Sequence, residues 1–296
     1  MPDSKVIARI FGGIGNQLFC YAAARRLALV NHAELVLDDV SGFVRDKYQR
    51  QYMLHHFYIP SRKARYGERL EPLSQYRRYL KRIYNQCLPF HDRSFIKQEG
   101  VDFDPRLLTY KSRGTVYLEG YWQSEGYFKD VETTIRQDLQ IRPPPDAVNL
   151  AIFEQIRGRM AVAIHVRFFD EPQVVTGINA PTDYYARAVA EMERRVPNAH
   201  YFIFSDRPEA ARSRIPLPDD RITLLRHNLA DENAYADLWL MSQCQHFIIA
   251  NSTFSWWGAW LSSNSSKLIL VPNIINYEGK CAWGFSDLIP KEWKVI

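Results

Sequence analysis

The sequence predicts an α/β protein made of two domains, and three observations support this. The chain has 296 residues, which exceeds the usual size of a single domain. Apolar strand-like segments alternate with helical segments, the pattern of a sheet covered by helices. Segment 142–146 contains three consecutive prolines, which end a helix and hold the chain extended. We therefore predict an N-terminal domain over 1–145 and a C-terminal domain over 146–296.

The N-terminal domain opens with a strand, a glycine-rich turn and a helix, and its pattern then weakens. Segment 40–107 is rich in aromatic, basic and turn-forming residues and gives no assignment. The predicted elements are strands at 6–11, 34–37 and 116–119 and helices at 17–30 and 126–139.

The C-terminal domain alternates more regularly, which predicts a parallel, doubly wound sheet. Ligands of such sheets bind at the carboxyl ends of the strands. Arg167, Ser205, Asp206 and Ser252 directly follow predicted strands and are expected at that edge. The predicted strands lie at 161–166, 201–205, 221–225, 246–250 and 267–271, and the helices at 147–158, 183–195, 209–214, 233–243 and 255–262.

The start of the helix after residue 250 carries the clearest sign of a ligand site. Hydroxyl and amide side chains crowd the positions between an apolar strand and an aromatic helix. Backbone N–H groups at a helix N-terminus, helped by Ser and Thr hydroxyls, can hold a diphosphate without a lysine. A simple helix cap is the alternative for any single residue. The whole string favours a phosphate site: Asn251, Ser252, Thr253, Phe254 and Ser255.

Two other strand ends and the glycine turn near the N-terminus also carry side chains that can bind a nucleotide or a phosphate. Arg167 has the planar guanidinium that suits a diphosphate, whereas a histidine inside the strand, such as His165, is more often structural. Asp206 has a carboxylate that can accept hydrogen bonds from guanine, or it simply begins a turn. The turn 12–17 matches neither a dinucleotide loop nor an ATP loop. Its glycines nevertheless admit a ligand, and Asn16 can donate to a phosphate or a sugar hydroxyl.

Segment 121–127 combines aromatic rings with hydrogen-bonding groups, which suits a sugar acceptor or an interdomain core. Asp102 and Asp104 have the spacing of a metal-binding pair, but they lie away from every predicted phosphate-binding strand end. We therefore expect no metal site and no cofactor. The charge of a leaving diphosphate then falls on Arg167, helix N–H groups and hydroxyls.

The distribution of charge indicates which classes of binding partner are compatible with the chain. Between residues 62 and 82, eight Lys and Arg residues face only two Glu and are interleaved with tyrosines. This segment fits an anionic membrane surface or a charged polymer, and a solvated helix face is the alternative. Nucleic acid is the weaker partner, because no nucleic-acid-binding module accompanies the charge.

Neither a long apolar run nor a signal-peptide core occurs, so we expect a cytoplasmic protein with, at most, a peripheral contact at the inner membrane. The cysteines have no zinc or disulfide spacing and are expected to be reduced thiols, mainly buried. They are Cys20, Cys87, Cys244 and Cys281.

Taken together, five strings resemble the bacterial α-1,2-fucosyltransferases of glycosyltransferase family 11. The family pattern reads GGLGNQ, GYWQSE, HIRRGDY, FSD and IANSTFSWWGA. In this chain the strings read GGIGNQ, GYWQSE, HVRFFD, FSD and IANSTFSWWGA, in the same order over nearly the whole length. They occupy residues 12–17, 120–125, 165–170, 204–206 and 249–259.

The resemblance implies a GT-B-like fold with two Rossmann-like domains and a cleft between them. Domain 1–145 would bind the acceptor and domain 146–296 the GDP-sugar. It implies an inverting, metal-independent transfer of L-fucose from GDP-β-L-fucose to the 2-hydroxyl of a galactose-type acceptor, in glycan or surface-polysaccharide synthesis. The alternatives are another sugar nucleotide on the same scaffold and a non-catalytic glycan-binding protein.

The resemblance also implies roles for single residues. Arg167 contacts the diphosphate, His165 and Asp206 the guanosine, and Asn16 faces the phosphates from the other domain. Asp170 lies nearest the donor motif and is our first candidate for the general base, with the capping of a loop as the alternative. The other residues expected to contact substrate are Gly13, Gln17, Glu119, Trp122, Gln123, Ser205, Asn251, Ser252, Thr253, Phe254 and Ser255.

The chain departs from the family pattern beside the strand-end arginine. Phe168 and Phe169 replace Arg-Gly, and Thr176 stands where His is common. Arg167 directly follows the strand and is the better phosphate ligand of the two arginine positions, so we expect activity to be retained. We expect the two phenylalanines to make the rim of the site more apolar and to stack on a sugar face.

Overall fold

The computed structural model describes residues 4–70, 75–169, 171, 179–273 and 287–296. The chain divides into two compact units. Unit 1 comprises Met1–Gln140 with Ser286–Leu288, and unit 2 comprises Ile141–Phe285 with Ile289–Ile296. Each unit contains one parallel sheet with helices, as the α/β prediction requires. The predicted boundary after residue 145 lies slightly beyond the division after Gln140 and stays a prediction.

Unit 1 is built on a five-stranded sheet. Its strands are β1 (Lys5–Arg9), β2 (Glu34–Asp38), β3 (Arg62–Lys63), β4 (Phe95–Lys97) and β5 (Thr115–Glu119), and its helices are α1 (Ile14–Val30), α2 (Gln75–Gln86) and α3 (Glu132–Asp138). The strand order is β3-β2-β1-β5-β4, with every neighbouring pair parallel. The central strand β1 buries Val6 and Ile7 because β2 and β5 flank it on both sides.

Helix α1 begins at Ile14, three residues earlier than predicted. Gly13 is its N-cap, so the glycine turn is shorter than the sequence suggested and Asn16 lies in the first helical turn. Gly12 precedes the cap with a φ of +79°, a left-handed conformation that glycine adopts at no steric cost.

The predicted helix at 126–139 is wrong over its first half. Two short 3-10 turns, Glu125–Tyr127 and Lys129–Val131, precede the short helix α3. Tyr127 and Phe128 are both buried although they are consecutive. Phe128 separates the two turns with a φ of −145° and a ψ of 8°, outside the α-helical range, so the chain cannot continue one α-helix through this position.

Segment 40–107, which the sequence left unassigned, contains β3, α2 and β4. These strands have two and three residues and lie at the two edges of the sheet. Such short strands leave no alternating pattern to detect.

Unit 2 is built on a six-stranded sheet. Its strands are β6 (Ala161–Val166), β7 (His200–Ser205), β8 (Ile222–Leu224), β9 (His246–Ile248), β10 (Ile269–Val271) and β11 (Lys294–Val295), and its helices are α4 (Ala147–Arg157), α5 (Thr182–Arg195), α6 (Pro208–Arg212), α7 (Ala234–Ser242) and α8 (Thr253–Leu261). The strand order is β11-β10-β9-β6-β7-β8, all parallel. This confirms the predicted doubly wound sheet, and among the described residues of unit 2 the two-residue strand β11 is the one that was missed.

The central strand β6 is buried on both faces. Val162 and Ile164 pack in a cluster with residues of α5, whereas Ala161 and Ala163 pack in another cluster with residues of α7. Successive side chains of a strand point to opposite faces, so β6 has apolar residues at every position except His165.

The chain enters α4 after the three prolines. The Asp146 carboxylate caps this helix by accepting a hydrogen bond from the Asn149 backbone N–H at 2.9 Å. Cys20 and Cys244 are buried thiols, Cys87 is exposed, and Cys281 lies outside the described residues. Among the helices of the described residues, none combines the length and apolar character that a membrane span needs.

Candidate functional site

The strand order of unit 2 reverses between β6 and β9. From β6 the sheet continues through β7 and β8 to one side, and from β9 through β10 and β11 to the other. Doubly wound sheets bind ligands at such a switch point, at the carboxyl ends of the strands. Arg167 leaves β6 there and Asn251 follows β9. The two motifs richest in phosphate-type chemistry therefore share one sheet edge, which we call the switch-point edge.

Helix α8 begins directly at this edge. Ser252 is its N-cap, and its hydroxyl oxygen accepts a hydrogen bond from the Phe254 N–H at 3.4 Å. The first-turn N–H groups of a helix lack intrahelical partners and carry the positive end of the helix dipole. This end of α8 therefore has the chemistry to hold an anion.

The rest of α8 anchors that end in the core. Trp256, Trp257 and Trp260 are buried and pack on one another, with ring centroids 5.0 Å apart for the first pair. These rings pack the helix against the core. Ser255 is fully buried, and its hydroxyl donates to the Ser252 carbonyl at 3.3 Å. Its predicted phosphate contact stays a prediction, with the hydroxyl directed into the fold.

Arg167 and Asp206, predicted from different strand ends, lie together. The Arg167 guanidinium is 3.2 Å from the Asp206 carboxylate, and both side chains are partly exposed. The other Asp206 oxygen accepts from the Phe168 N–H at 3.2 Å. Asp206 therefore holds both the guanidinium and the backbone that follows β6. Next to it, the buried Ser205 hydroxyl caps the turn by accepting from the Arg207 N–H at 3.0 Å.

His165 is a buried, neutral imidazole at the end of β6. Burial, and to a smaller degree the nearby Arg167 charge, lower its pKa to about 3. Its ring centroid lies 5.2 Å from that of Phe254. Among the described residues, its Nδ1 atom has no hydrogen-bond partner. An unpaired buried ring nitrogen beside the switch-point edge is unlike an ordinary structural histidine, whose nitrogens are normally satisfied.

The two phenylalanines after Arg167 lie in different surroundings. Phe168 is buried in the core, with the Arg214 guanidinium 4.6 Å above its ring. The expectation that Phe168 contributes to an apolar rim is therefore wrong, because its ring is needed in the core. Phe169 is exposed and its ring lies 5.6 Å from the Arg167 guanidinium, so it alone is available to a sugar face.

The carboxylates available as a general base are Asp170, Glu171, Glu119 and Glu125, and the last three are ion-paired. Glu171 binds Arg207 at 2.6 Å, which lowers the pKa of the Glu171 carboxyl. Glu125 binds Lys129 at 2.7 Å. Glu119 of unit 1 lies 3.8 Å from the guanidinium groups of both Arg9 and Arg78. Asp170 and Thr176 lie outside the described residues, so the assignment of Asp170 stays a prediction.

In unit 1 the glycine turn and segment 121–127 meet. The Gln123 amide donates to the Asn16 side-chain oxygen at 2.8 Å, which joins two of the predicted substrate-binding residues. A Cβ added at Gly13 would meet only the Arg50 side chain, at 4.0 Å, so the backbone here is open to a ligand.

Two other residues predicted to bind substrate are built into unit 1. Gln17 is fully buried and donates to the carbonyls of Gly12 and Gln51, at 2.9 and 2.8 Å. Its side-chain oxygen accepts from the Met53 N–H at 2.8 Å. Trp122 is 1% exposed and packs edge-on against Tyr127. Both side chains are placed to fix the shape of the turn, and their predicted substrate contacts stay predictions.

Unit 1 also contains a large pocket that sequence reasoning missed, and we call it the basic pocket. Its volume is about 770 Å³. Six cationic side chains line it, together with tyrosines and one carboxylate. Most of these residues lie in segment 40–107, where the sequence showed only a basic and aromatic composition. That composition was the available signal.

Helix α2 has an inverted distribution of side chains. Its exposed side chains are mostly apolar or aromatic: Tyr76, Tyr79, Leu80, Ile83 and Tyr84. The less exposed side chains between them, which face the rest of unit 1, are polar. The exposed positions recur at the three- and four-residue spacing of one helix face. The solvated charged face that the sequence offered as an alternative is therefore not what this helix presents.

The beginning of the basic segment belongs to the fold instead. Arg62 forms ion pairs with Glu34 and Glu68, each at 2.7 Å, and Lys63 is 2.9 Å from Asp39. Only the part of segment 62–82 that lies in α2 presents an unpaired apolar face among the described residues.

The Asp102–Asp104 pair is not arranged as a metal site. The Asp104 carboxylate accepts from the Arg106 backbone N–H at 3.0 Å and forms an ion pair with its guanidinium at 2.7 Å. Across the described part of the chain, no group of three or more His, Cys, Asp or Glu residues could hold a metal ion. Metal independence stays a prediction.

The model of the family described as Glycosyl transferase family 11 matches residues 85–296. Two relatives from Escherichia coli match over 290 residues. One is named alpha-1,2-colitosyltransferase, is 27% identical, and the match covers 91% of this chain and 91% of that protein. The other is named O-antigen biosynthesis glycosyltransferase WbnK, is 28% identical, and the match covers 88% and 91%.

Among solved structures, the chain is similar to NodZ from Bradyrhizobium. The crystal structure of NodZ alpha-1,6-fucosyltransferase soaked with GDP-fucose has a TM-score of 0.55 at 16% identity, with 94% of this chain and 96% of that chain covered. This similarity and the two parallel-sheet units give the chain a GT-B-like fold.

Proposed function

Because this chain belongs to glycosyl transferase family 11, we propose that it transfers L-fucose from GDP-β-L-fucose to the 2-hydroxyl of a galactose-type acceptor, with inversion at the anomeric carbon. Glycosyl transfer follows from the family. The identity of the sugar, the nucleotide and the linkage are the proposal.

The observation that carries the proposal is the pairing of Arg167 with the start of α8 at the switch-point edge. A sugar diphosphate needs donors on two sides, and this edge supplies a guanidinium from β6 and helix N–H groups after β9. Both groups stabilise an anion without a metal. Asp206 is 3.2 Å from Arg167 and orients it before substrate arrives.

In the proposed mechanism, the acceptor oxygen attacks the fucose anomeric carbon from the face opposite GDP. The bond to the diphosphate oxygen breaks in the same displacement, and the departing charge passes to Arg167 and the α8 N-terminus. Donors aimed at developing charge are usually the largest single contribution to such catalysis. The acceptor hydroxyl proton must go to a base, for which Asp170 remains our candidate.

His165 fits a neutral role in this site. With a pKa of about 3, the imidazole is uncharged in neutral solution. A neutral imidazole offers one donor and one acceptor. We propose that its unpaired nitrogen contacts the guanosine, in agreement with its position at the end of β6.

The relatives support the linkage and the donor to different degrees. The α-1,2 linkage occurs in the name of the colitosyltransferase, and GDP-fucose is the molecule with which the NodZ crystal was soaked. The same colitosyltransferase also favours a second candidate, transfer of colitose in place of L-fucose. A role in surface-polysaccharide synthesis is supported by the name of the O-antigen enzyme.

A panel of sugar nucleotides tests the donor. GDP-fucose, GDP-colitose, GDP-mannose and UDP-galactose are each offered with a galactose-terminated disaccharide, and released GDP or UDP is measured with and without EDTA. We expect release from GDP-fucose, insensitive to EDTA, and an α-1,2 product by NMR. Turnover of GDP-colitose alone would replace fucose by colitose, and tight GDP binding without any turnover would favour a glycan-binding protein.

We further propose that the exposed face of α2 contacts an anionic membrane surface. The face carries three tyrosines with Leu80 and Ile83, and Arg77 is exposed on the same helix. Tyrosine rings suit the boundary between headgroups and acyl chains, and cationic side chains add attraction to anionic lipids. Such a contact would bring the protein to lipid-borne acceptors.

A further inference from the structure

We infer that the basic pocket of unit 1 binds the acceptor and that this acceptor carries an anionic group, a phosphate or a carboxylate, near the sugar that receives fucose. This inference rests on the proposed transfer reaction, since it names the substrate class of that reaction. The evidence is the place of the pocket, its charge and its aromatic walls.

The pocket lies at the carboxyl edge of the unit 1 sheet. Arg9 is the last residue of β1, Ser41 follows β2, and Tyr121 follows β5. This is the edge at which parallel α/β sheets bind their ligands. A volume of about 770 Å³ is within the range of small-molecule sites and is large enough for several sugar units.

The charge of the pocket is strongly one-sided. Six cationic side chains line it: Arg9, Arg45, Lys47, Arg50, Arg78 and Arg82. The one lining carboxylate, Asp46, is turned to its own loop, where it accepts from the N–H groups of Tyr48 and Arg50 at 3.1 and 2.9 Å. Glu119 is not among the lining residues, and its carboxylate lies 3.8 Å from the guanidinium groups of Arg9 and Arg78.

Four of the cations lack a carboxylate partner among the described residues: Arg45, Lys47, Arg50 and Arg82. In addition, the Nε atom of Arg82 is buried and has no hydrogen-bond partner in the described part of the chain. A buried guanidinium donor without an acceptor is costly, as is the mutual repulsion of converging cations. An anionic ligand removes both costs.

The walls of the pocket suit a sugar. Tyr48 is exposed, and the Lys47 and Arg50 cations lie 4.6 and 4.4 Å from its ring centroid. On the β1 side, Tyr121 stacks on Phe11 at 4.4 Å. Aromatic faces next to cationic donors provide apolar stacking and anion recognition in one site. A neutral galactoside uses only the first of these features.

The test is equilibrium binding by calorimetry, without donor, of three matched ligands. They are a neutral galactose-terminated disaccharide, the same disaccharide with a 6-phosphate on its second sugar, and the same with a uronic acid there. We expect at least one anionic ligand to bind about tenfold tighter than the neutral one, in a salt-dependent manner. The two anionic ligands distinguish a phosphate from a carboxylate.

Variants locate the effect in the pocket. We expect Arg82→Gln to abolish most of the preference, and Arg82→Lys to keep part of it because the charge remains. Arg113→Gln removes a charge from an exposed side chain of unit 1 that does not line the pocket, and it should leave all three affinities unchanged. Thermal unfolding of each variant shows whether it is folded.

Transfer kinetics separate this inference from the proposed reaction. We expect Arg82→Gln to raise the KM of the anionic acceptor about tenfold and to leave the KM of GDP-fucose unchanged. Equal binding of charged and neutral ligands, or a preference that survives Arg82→Gln, overturns the anionic acceptor while fucosyl transfer stands. A raised KM for GDP-fucose would assign the pocket to the donor and overturn the inference as well. Absence of turnover with any sugar nucleotide would overturn the reaction, and the calorimetry would still decide on the pocket.

Discussion

The carboxyl edges of the two sheets are equipped differently for anions. At the switch-point edge of unit 2, the partly exposed Arg167 is held by a carboxylate and lies at the same edge as a helix N-terminus. Arg207, two residues after β7, is paired with Glu171. At the edge of unit 1, six cations surround a pocket whose single lining carboxylate is turned away. One edge is a small, preorganised group of donors, and the other is a broad, positively charged surface.

The difference indicates two kinds of task. A leaving diphosphate must be met in one defined geometry at the moment the bond breaks, which favours few donors that are fixed in advance. An acceptor must be attracted and held but not transformed at its charged end, which tolerates many flexible cations. The four predictions below test this contrast, beginning with the largest effect.

Removing Arg167 from the switch-point edge should disable catalysis. We expect Arg167→Ala to lower kcat by about 10²–10³-fold with little loss of folding stability, because a donor aimed at the leaving group is lost. Arg187→Ala is the matched control, since it removes an exposed arginine of the same unit that pairs with Asp183 on the surface of α5. Near-normal turnover of the Arg167 variant would disprove the role of this edge.

The apolar face of α2 should decide membrane binding. We expect the double variant Leu80→Asp, Ile83→Asp to lose more than tenfold in affinity for vesicles containing anionic lipid, because two exposed apolar side chains no longer enter the interface. Val148→Asp, at an exposed apolar position of α4, is the control. Sedimentation of vesicles with and without anionic lipid measures the effect. Unchanged binding to vesicles would contradict a membrane contact of this face. A wild-type dimer that the double variant dissociates would show that the face binds a second copy of the chain.

Asp206 should act through Arg167. We expect Asp206→Asn to lower kcat/KM about tenfold, because Arg167 loses its charged partner while the new amide oxygen still accepts from the Phe168 N–H. The free energy of unfolding should change by less than about 1 kcal/mol, as the pair is partly exposed. Binding of GDP and of inosine diphosphate separates the two proposed roles. Equal losses for both nucleotides support positioning, and a loss for GDP alone would show a contact with the guanine amino group.

The buried imidazole at the switch-point edge should make stability depend on pH. Native His165 stays neutral down to a pKa of about 3, whereas the unfolded chain takes up a proton near pH 6.5. Stability is therefore complete above pH 6.5 and falls as the pH is lowered. Between pH 6.5 and 5.5, the free energy of unfolding should fall by about 1 kcal/mol more in the wild type than in His165→Gln. Urea unfolding at both pH values measures this, and identical slopes would refute a buried neutral histidine.

The sequence predicted unit 2 well because its helices and the strands β6 and β7 are long enough to show a period, and because the three-residue strands β9 and β10 lie within longer apolar runs. Strand β6 was predicted with the observed bounds, and the helices of unit 2 were placed within one or two residues of their observed ends. Unit 1 was harder, since β3 and β4 have two and three residues and α2 presents its apolar face outward. Prediction from hydrophobic periodicity assumes that the apolar face of a helix is buried, and α2 does not follow this rule.

The residues of the candidate site also differ in how well the sequence predicted them. Arg167, Asp206 and Ser252 were found from their positions after strands, because parallel strands bring their carboxyl ends to one edge whatever their order. Gln17 and Trp122 were chosen from motifs, and Ser255 from the polar string at the start of α8, but all three side chains are buried in the fold. A motif records which residues occur together, and does not distinguish those that touch a ligand from those that shape the backbone around it.

The sequence by itself determined the two α/β halves, the family resemblance and the phosphate-type chemistry after β6 and β9, since these depend on local order along the chain. The tertiary structure decided the rest. Only the strand order places β9 beside β6 and so joins Arg167 to α8. The basic pocket draws its lining from residues between Arg9 and Tyr121 that are far apart in sequence. The sequence showed the basic composition of segment 40–107, but only folding brings those cations together with Arg9 and Tyr121 around one pocket.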